Sequence, residues 1–212
     1  MDLEAAARLI SSPVTGRVAR HYGNAMNEPG IPPELSEVRA NARRLAAPEE
    51  INAAVDHMAR AITENMSQTN PLLLAIMTGG VVPLTMLLQR LEFPLQVDYT
   101  HLTRYGMDTT GGELRWIKKP LEVVKGRTVL VIDDVLDRGL TLAAVVGECE
   151  RLGAAEVLTA VLVSKDVSKR AGLESADFSG LVLPDEYLFG FGMDYKTYLR
   201  NAAGIFAVKP TT

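Results

Sequence analysis

The run Val129-Leu-Val-Ile-Asp-Asp-Val-Leu-Asp-Arg-Gly-Leu-Thr141 concentrates residues that can do chemistry. An unbroken apolar strand leads into an acid pair, Asp133-Asp134, then a third acid at Asp137, then Gly139 and Thr141 at the start of a helix. Helix-start N–H groups, joined by the Thr141 hydroxyl, form an anion site suited to a phosphate. Successive strand residues point to opposite sides, so Asp133 and Asp134 can serve vicinal hydroxyls and a Mg²⁺ with its waters. Asp137, one loop turn further on, can accept or donate a proton. Acids before a helix often act only as caps. Strand, acid pair, third acid, glycine and threonine together exceed what capping needs.

Further candidates flank this run in a fixed order. Thr78-Gly79-Gly80 makes a tight turn after Leu72–Met77, Lys165 ends the apolar Leu162-Val-Ser segment, Tyr187 lies in Pro184-Asp-Glu-Tyr-Leu-Phe-Gly190, and Asp194 and Arg200 follow. Singly, each reads more simply as a solvated charge, a core aromatic or a turn.

The elements that must position these residues follow from periodicity. Pro48-Glu49-Glu50 opens a helix whose Ile51, Val55, Met58, Ile62 and Met66 form one apolar face. Residues 34–45 read as a more polar helix, and residues 1–31 as a helix and loop or as an extension packed on a neighbouring subunit. From Pro71, strands predicted at Leu72–Met77, Gln96–His101, Leu114–Ile117, Val129–Asp133 and Val157–Val163 alternate with helices at Val81–Arg90 and Leu140–Leu152. This order predicts an α/β fold with ligands at the carboxyl ends of parallel strands. Thr103–Glu113, rich in Gly and Thr, reads as a flexible connection. After residue 166 the rhythm breaks into short β segments near Leu181–Leu183 and Tyr187–Phe189, a turn at Asp194-Tyr195 and a last strand at Ile205–Val208.

Composition limits the function classes. With 47% hydrophobic and 23% charged residues and a formal charge of -4, the chain has a globular balance and no basic field for nucleic acid. The lone Cys149 excludes an intramolecular disulfide and suits a reducing cytoplasm. No apolar run approaches the roughly 20 residues of a membrane helix, and the N-terminus lacks a secretory pattern. The expectation is a cytoplasmic protein with neither nucleic-acid nor membrane partner.

The Val129–Thr141 run resembles the phosphoribosyl-pyrophosphate (PRPP) signature of type I phosphoribosyltransferases, and the chain from Leu72 to Arg200 is similar to the hypoxanthine-guanine members of that family. The resemblance implies a central, mostly parallel sheet flanked by helices, with a small hood formed by N- and C-terminal segments. It implies one domain over 1–212: a helical region at 1–50, a core at 71–165 with a mobile loop at 103–113, and a purine-binding hood with the C-terminal strand at 166–212. Matched to the family, Asp137, Arg138, Gly139, Leu140 and Thr141 cradle the 5′-phosphate of PRPP, and Asp133 and Asp134 bind the ribose hydroxyls. Asp137 also faces an imidazole nitrogen of the purine as the catalytic acid or base. Thr78, Gly79 and Arg200 match pyrophosphate-binding positions, and Lys165, Glu186, Tyr187 and Leu188 match purine-binding ones. Asp133, Asp134 and Asp194 match the Mg²⁺ ligands, while Arg104 and Tyr105 match the mobile loop.

The resemblance further implies purine salvage: transfer of the phosphoribosyl group from PRPP to a 6-oxopurine base, hypoxanthine or guanine, giving a purine nucleoside monophosphate and pyrophosphate, with Mg²⁺ as cofactor and a homo-oligomer, dimer or tetramer, as the assembly. The ammonium of Lys165 can only donate, which favours a 6-oxo group over the 6-amino group of adenine. A xanthine- or pyrimidine-specific transferase and a PRPP-sensing, nucleic-acid-binding regulator are the rival readings. The chain departs from the family pattern at Thr78, Asp133, Arg138 and Leu140.

Overall fold

The computed structural model describes residues 32–105 and 113–209. In chain order these run α1 (Glu34–Asn41), β1 (Arg43–Ala46), α2 (Pro48–Met66), β2 (Leu72–Met77), α3 (Val81–Leu88), β3 (Gln96–Tyr105), β4 (Glu113–Lys118), β5 (Thr128–Leu136), α4 (Leu140–Arg151), β6 (Glu156–Asp166), β7 (Phe178–Pro184), β8 (Leu188–Phe189) and β9 (Ile205–Ala207). Among the described residues, no helix is long and apolar enough to cross a membrane.

Six strands form the main sheet in the order β4-β3-β2-β5-β6-β7, parallel except for β4 at one edge. Alternate residues of the central strands enter different cores. Leu73, Leu130, Ile132, Ala160 and Leu162 pack with the apolar faces of α2 and α3, whereas Leu72, Leu74, Val129, Val131 and Val161 pack with Leu142, Val145 and Cys149 of α4. Both faces are covered, which is why these strands read as continuous apolar runs.

The connections then select the place for a ligand. β2 passes through α3 to β3 on one side, and β5 passes through α4 to β6 on the other. Right-handed crossovers in opposite directions put α3 and α4 on opposite faces. The chain therefore diverges from the adjacent carboxyl ends of β2 and β5, the crevice in which open α/β sheets bind ligands. Thr78–Gly80 leaves one of these ends and Asp133–Thr141 the other.

A second sheet, antiparallel in the order β1-β9-β8, forms the hood. It corrects the expected helix over 34–45, which stops at Asn41. Arg43-Arg-Leu-Ala favours helix locally, but Ala42 turns extended at ψ 145° and Arg43–Ala46 pairs with Ile205–Ala207. Burial of Ala46 at 3% exposure favours the strand.

Two other boundaries move. The expected loop at 103–113 is shorter, because Thr103–Tyr105 pair with Glu113–Arg115 as strand; residues 106–112 lie outside the described residues, as do 1–31. Phe178–Pro184, expected within the hood, is instead the sixth strand of the main sheet. The Thr159 N–H and hydroxyl both donate to Asp177 Oδ2, at 2.8 and 2.7 Å, fastening the start of β7 to β6, and Phe178 joins the core under α2.

Candidate active site

β5 stays buried to its end, so its acids enter the crevice desolvated. Asp133 and Asp134 are each only 8% exposed, and the Asp134 N–H donates to Asp133 Oδ1 at 2.9 Å. Burial pushes both carboxyls above the ordinary aspartate range; Asp134 adds to the rise at Asp133, whereas the Arg200 guanidinium opposes it at Asp134. Arg200 Nη1 lies 3.7 Å from Asp134 Oδ2 and its Nη2 2.6 Å from Asp194 Oδ1. The same side chain donates to the Gly192 carbonyl. One guanidinium thus links the acid strand to the hood.

Close backbone approach completes this corner. A Cβ placed on Gly79 would lie 2.1 Å from Asp134 Oδ2, and one on Gly192 would lie 2.7 Å from the Gly79 carbonyl oxygen. Neither position has room for a side chain. Gly139, the residue before α4, has φ +72°, and its Cβ would meet the Leu173 backbone at 2.3 Å. Glycine is required there for both conformation and space.

Two adjoining cavities open from this corner. One, of about 200 Å³, is lined by Asp133 to Gly139, Thr141 and Leu142. The other, of about 240 Å³, is lined by Asp134, Val135, Asp137, Lys165, Tyr187, Leu188, Met193 and Asp194. Lys165 Nζ, on a side chain only 12% exposed, sits 3.5 Å from Asp137 Oδ2 and 3.2 Å from Asp185 Oδ1. Tyr187 is 53% exposed and meets Tyr195 edge-on at 5.7 Å, leaving a ring face for a planar ligand. A larger groove of about 500 Å³ beside Asp56, Arg60 and Arg90 is not the better candidate, since it is lined from α2 and the segment after α3 rather than from the carboxyl ends of the strands, and Arg90 is already paired with Asp56.

The arrangement can hold an anion at the α4 start, a flat polar ring between Lys165, Asp137 and Tyr187, and a second anion near Gly79 and Arg200. Most predicted residues converge here. Thr78 is exposed beside the crevice, Leu188 is buried on β8, and Glu186 is paired with Arg43. Arg138 lines the first cavity; Leu140, 38% exposed, does not. Arg104 and Tyr105 belong to β3. Among the described residues no three of His, Cys, Asp and Glu form a cluster that would hold an ion by themselves. Asp133 and Asp134 alternate across the strand, and Arg200 pairs with both Asp134 and Asp194. Asp134 and Asp194 still suit a Mg²⁺ that keeps one or two protein carboxylates and takes its other oxygens from substrate and water.

Three residues with no role assigned from the sequence also belong here. Asp185 reaches Lys165 because β7 runs beside β6, Arg43 reaches Glu186 across the hood, and Arg170 binds the carbonyls of Asp137 and Lys165. Only Asp185, inside the Pro184–Gly190 run, had a local signal.

The phosphoribosyl transferase domain model matches residues 42–196, which include the crevice, both cavities and Asp194. This chain belongs to the phosphoribosyltransferase family. Its relatives include the hypoxanthine-guanine phosphoribosyltransferase of Bacillus subtilis, 30% identical over 78% of this chain and 92% of that protein. The bifunctional protein TilS/HprT of Listeria innocua is 32% identical over 78% of this chain, which spans only 26% of that longer protein. A hypoxanthine phosphoribosyltransferase structure from Staphylococcus aureus has the same fold, with a TM-score of 0.75 at 23% identity over 81% of this chain and 94% of that one. Family membership thus agrees with the mostly parallel sheet, and the hood matches the expectation for its hypoxanthine-guanine members.

Proposed function

We propose that this phosphoribosyltransferase acts in purine salvage, transferring the 5-phosphoribosyl group of PRPP to hypoxanthine or guanine and releasing pyrophosphate with IMP or GMP. The observation that carries this reading is the pairing of Asp137 with Lys165, 3.5 Å apart and facing one cavity beside an exposed Tyr187 ring. A 6-oxopurine presents an acceptor oxygen to Lys165 and an imidazole N–H to Asp137, with its face to Tyr187.

In the reaction the C1′–O bond to pyrophosphate breaks, a bond forms from C1′ to a purine imidazole nitrogen, and the purine gives up one imidazole proton. Asp137 accepts that proton. N–H groups at the α4 start and the Thr141 hydroxyl hold the 5′-phosphate. Gly79 and Arg200 receive the leaving pyrophosphate, whose developing charge is the largest electrostatic demand of the step. Mg²⁺, held by Asp134 and Asp194 together with substrate oxygens, would supply further charge neutralisation there.

The protein's operation in the cytoplasm and as a homo-oligomer is part of the same proposal. The test supplies PRPP and Mg²⁺ with hypoxanthine, guanine, xanthine, adenine or uracil and measures nucleotide and pyrophosphate. Hypoxanthine and guanine are expected to turn over and adenine is not. Turnover of uracil alone, or of xanthine alone, replaces the substrate assignment, and no turnover with any base overturns the activity.

A further inference from the structure

Arg170 lies in the connection between β6 and β7, where a lone arginine among Ser, Lys and Gly reads as a solvated charge. Its guanidinium is half-buried and committed to four acceptors. Nε donates to the Asp137 carbonyl at 3.0 Å, Nη1 to the Glu174 carbonyl at 2.7 Å, and Nη2 to Ser164 Oγ at 3.1 Å and to the Lys165 carbonyl. Two of those carbonyls belong to the residues whose side chains meet in the ring-binding cavity.

The neighbouring backbone extends the contact. Gly172 N–H donates to the Arg138 carbonyl at 3.0 Å and Leu173 N–H to the Gly139 carbonyl at 3.1 Å. Three successive carbonyls, of Asp137, Arg138 and Gly139, therefore face the Arg170–Leu173 segment. In a trans peptide, each carbonyl is antiparallel to the next N–H. The N–H groups of Arg138, Gly139 and Leu140 accordingly face the other way, toward the side on which Arg138, Gly139 and Thr141 line a cavity.

We infer that Arg170 is a positioning residue that fixes the purine-facing side chains of Asp137 and Lys165 and the phosphate-facing amide of Arg138 as one unit. It touches no substrate itself. By clamping the two main chains from behind, it sets the distance between the base site and the 5′-phosphate site, which a nucleoside monophosphate must span. Pyrophosphate lies outside its reach, because Gly79 and Arg200 are held by the Asp134–Gly192 contacts. The inference rests on reading the two cavities as a nucleotide site.

The test measures Arg170→Met and Arg170→Lys against wild type for binding of GMP and of Mg²⁺-pyrophosphate, for hypoxanthine kcat/KM, and for Tm. Arg170→Met is expected to weaken GMP binding and lower kcat/KM by about 100-fold, as misplacement by an ångström does, while pyrophosphate affinity stays within about twofold. Arg170→Lys falls between, since one ammonium cannot meet four divergent acceptors. A parallel fall in both affinities, or unchanged GMP binding, overturns the positioning role. If Arg170→Met does not fold, the Arg170→Lys comparison decides by the same criterion. Failure of the wild type itself to bind GMP overturns the nucleotide reading instead.

Discussion

The phosphate loop and the hood border the same crevice but are built on opposite principles. The loop is local: Asp133 to Thr141 are consecutive, and the expected phosphate contacts come from backbone N–H groups whose carbonyls are held by Arg170–Leu173. The hood is assembled from distant pieces, with β1 and β8 both paired to β9. Its chain between β8 and β9 bends through Phe191, Lys196, Thr197 and Leu199 at positive φ. Such conformations cost about 1–3 kcal/mol each and persist only where surrounding contacts impose them. The difference teaches where side-chain identity matters. In the loop the expected phosphate contacts come largely from the backbone and leave side chains such as Leu140 free to vary, whereas the hood corner is closed by a side-chain pair, Arg200 with Asp194.

The strongest challenge to that contrast is Asp137, the loop side chain that meets Lys165 in the ring cavity. Asp137→Asn is expected to lower turnover by about 10²–10⁴ while changing PRPP affinity far less; unchanged turnover in steady-state assays removes its proton role. On the hood side, Arg200→Met is expected to cost roughly 1.5–3 kcal/mol of pyrophosphate affinity, about 10- to 150-fold, by calorimetry. A loss equally large for GMP contradicts its assignment to the leaving group. Gly139→Ala tests the loop's backbone: strain at φ +72° costs about 1–3 kcal/mol of unfolding free energy before the contact with Leu173 is counted. Denaturant melts with a wild-type midpoint would dismiss that requirement.

Smaller effects sharpen the contrast. Asp133 has its carboxyl raised by burial, so between its ordinary pKa near 3.8 and its raised value the folded state holds more protons than the unfolded one. Its contribution therefore lowers stability as pH rises through that window, and Asp133→Asn is expected to raise Tm at neutral pH in Mg²⁺-free buffer and to remove that part of the slope. A lower Tm assigns Asp133 a stabilising role instead. The smallest effect is expected for Leu140→Ala, an exposed position in a loop served by backbone, with a change within about 0.5 kcal/mol in GMP binding. A larger change shows that this side chain reaches the ligand.

Much of the core was legible because its signals are local. Leu72–Met77 and Val129–Asp133 announce buried strands by lacking polar alternation, and Ile51 to Met66 announce a helix by spacing. Arg43–Ala46 and Phe178–Pro184 were misplaced because short segments take their state from a partner strand, and the partners lie far along the chain. The same reason hid Arg170, whose role exists only where β6 and the phosphate loop come side by side.

By itself, the sequence determined the α/β order, the acid pair at a strand end and the glycine-threonine helix start, through local propensity and periodicity, which act over a few residues. The succession of Lys165, Tyr187, Asp194 and Arg200 was legible only through the family resemblance. Only the tertiary structure decided that Arg200 pairs with both Asp134 and Asp194, that Lys165 is shared between Asp137 and Asp185, and that Arg170 binds the carbonyls of both Asp137 and Lys165. Charge partners are chosen by distance in space, which chain order does not specify until the sheet and hood have formed.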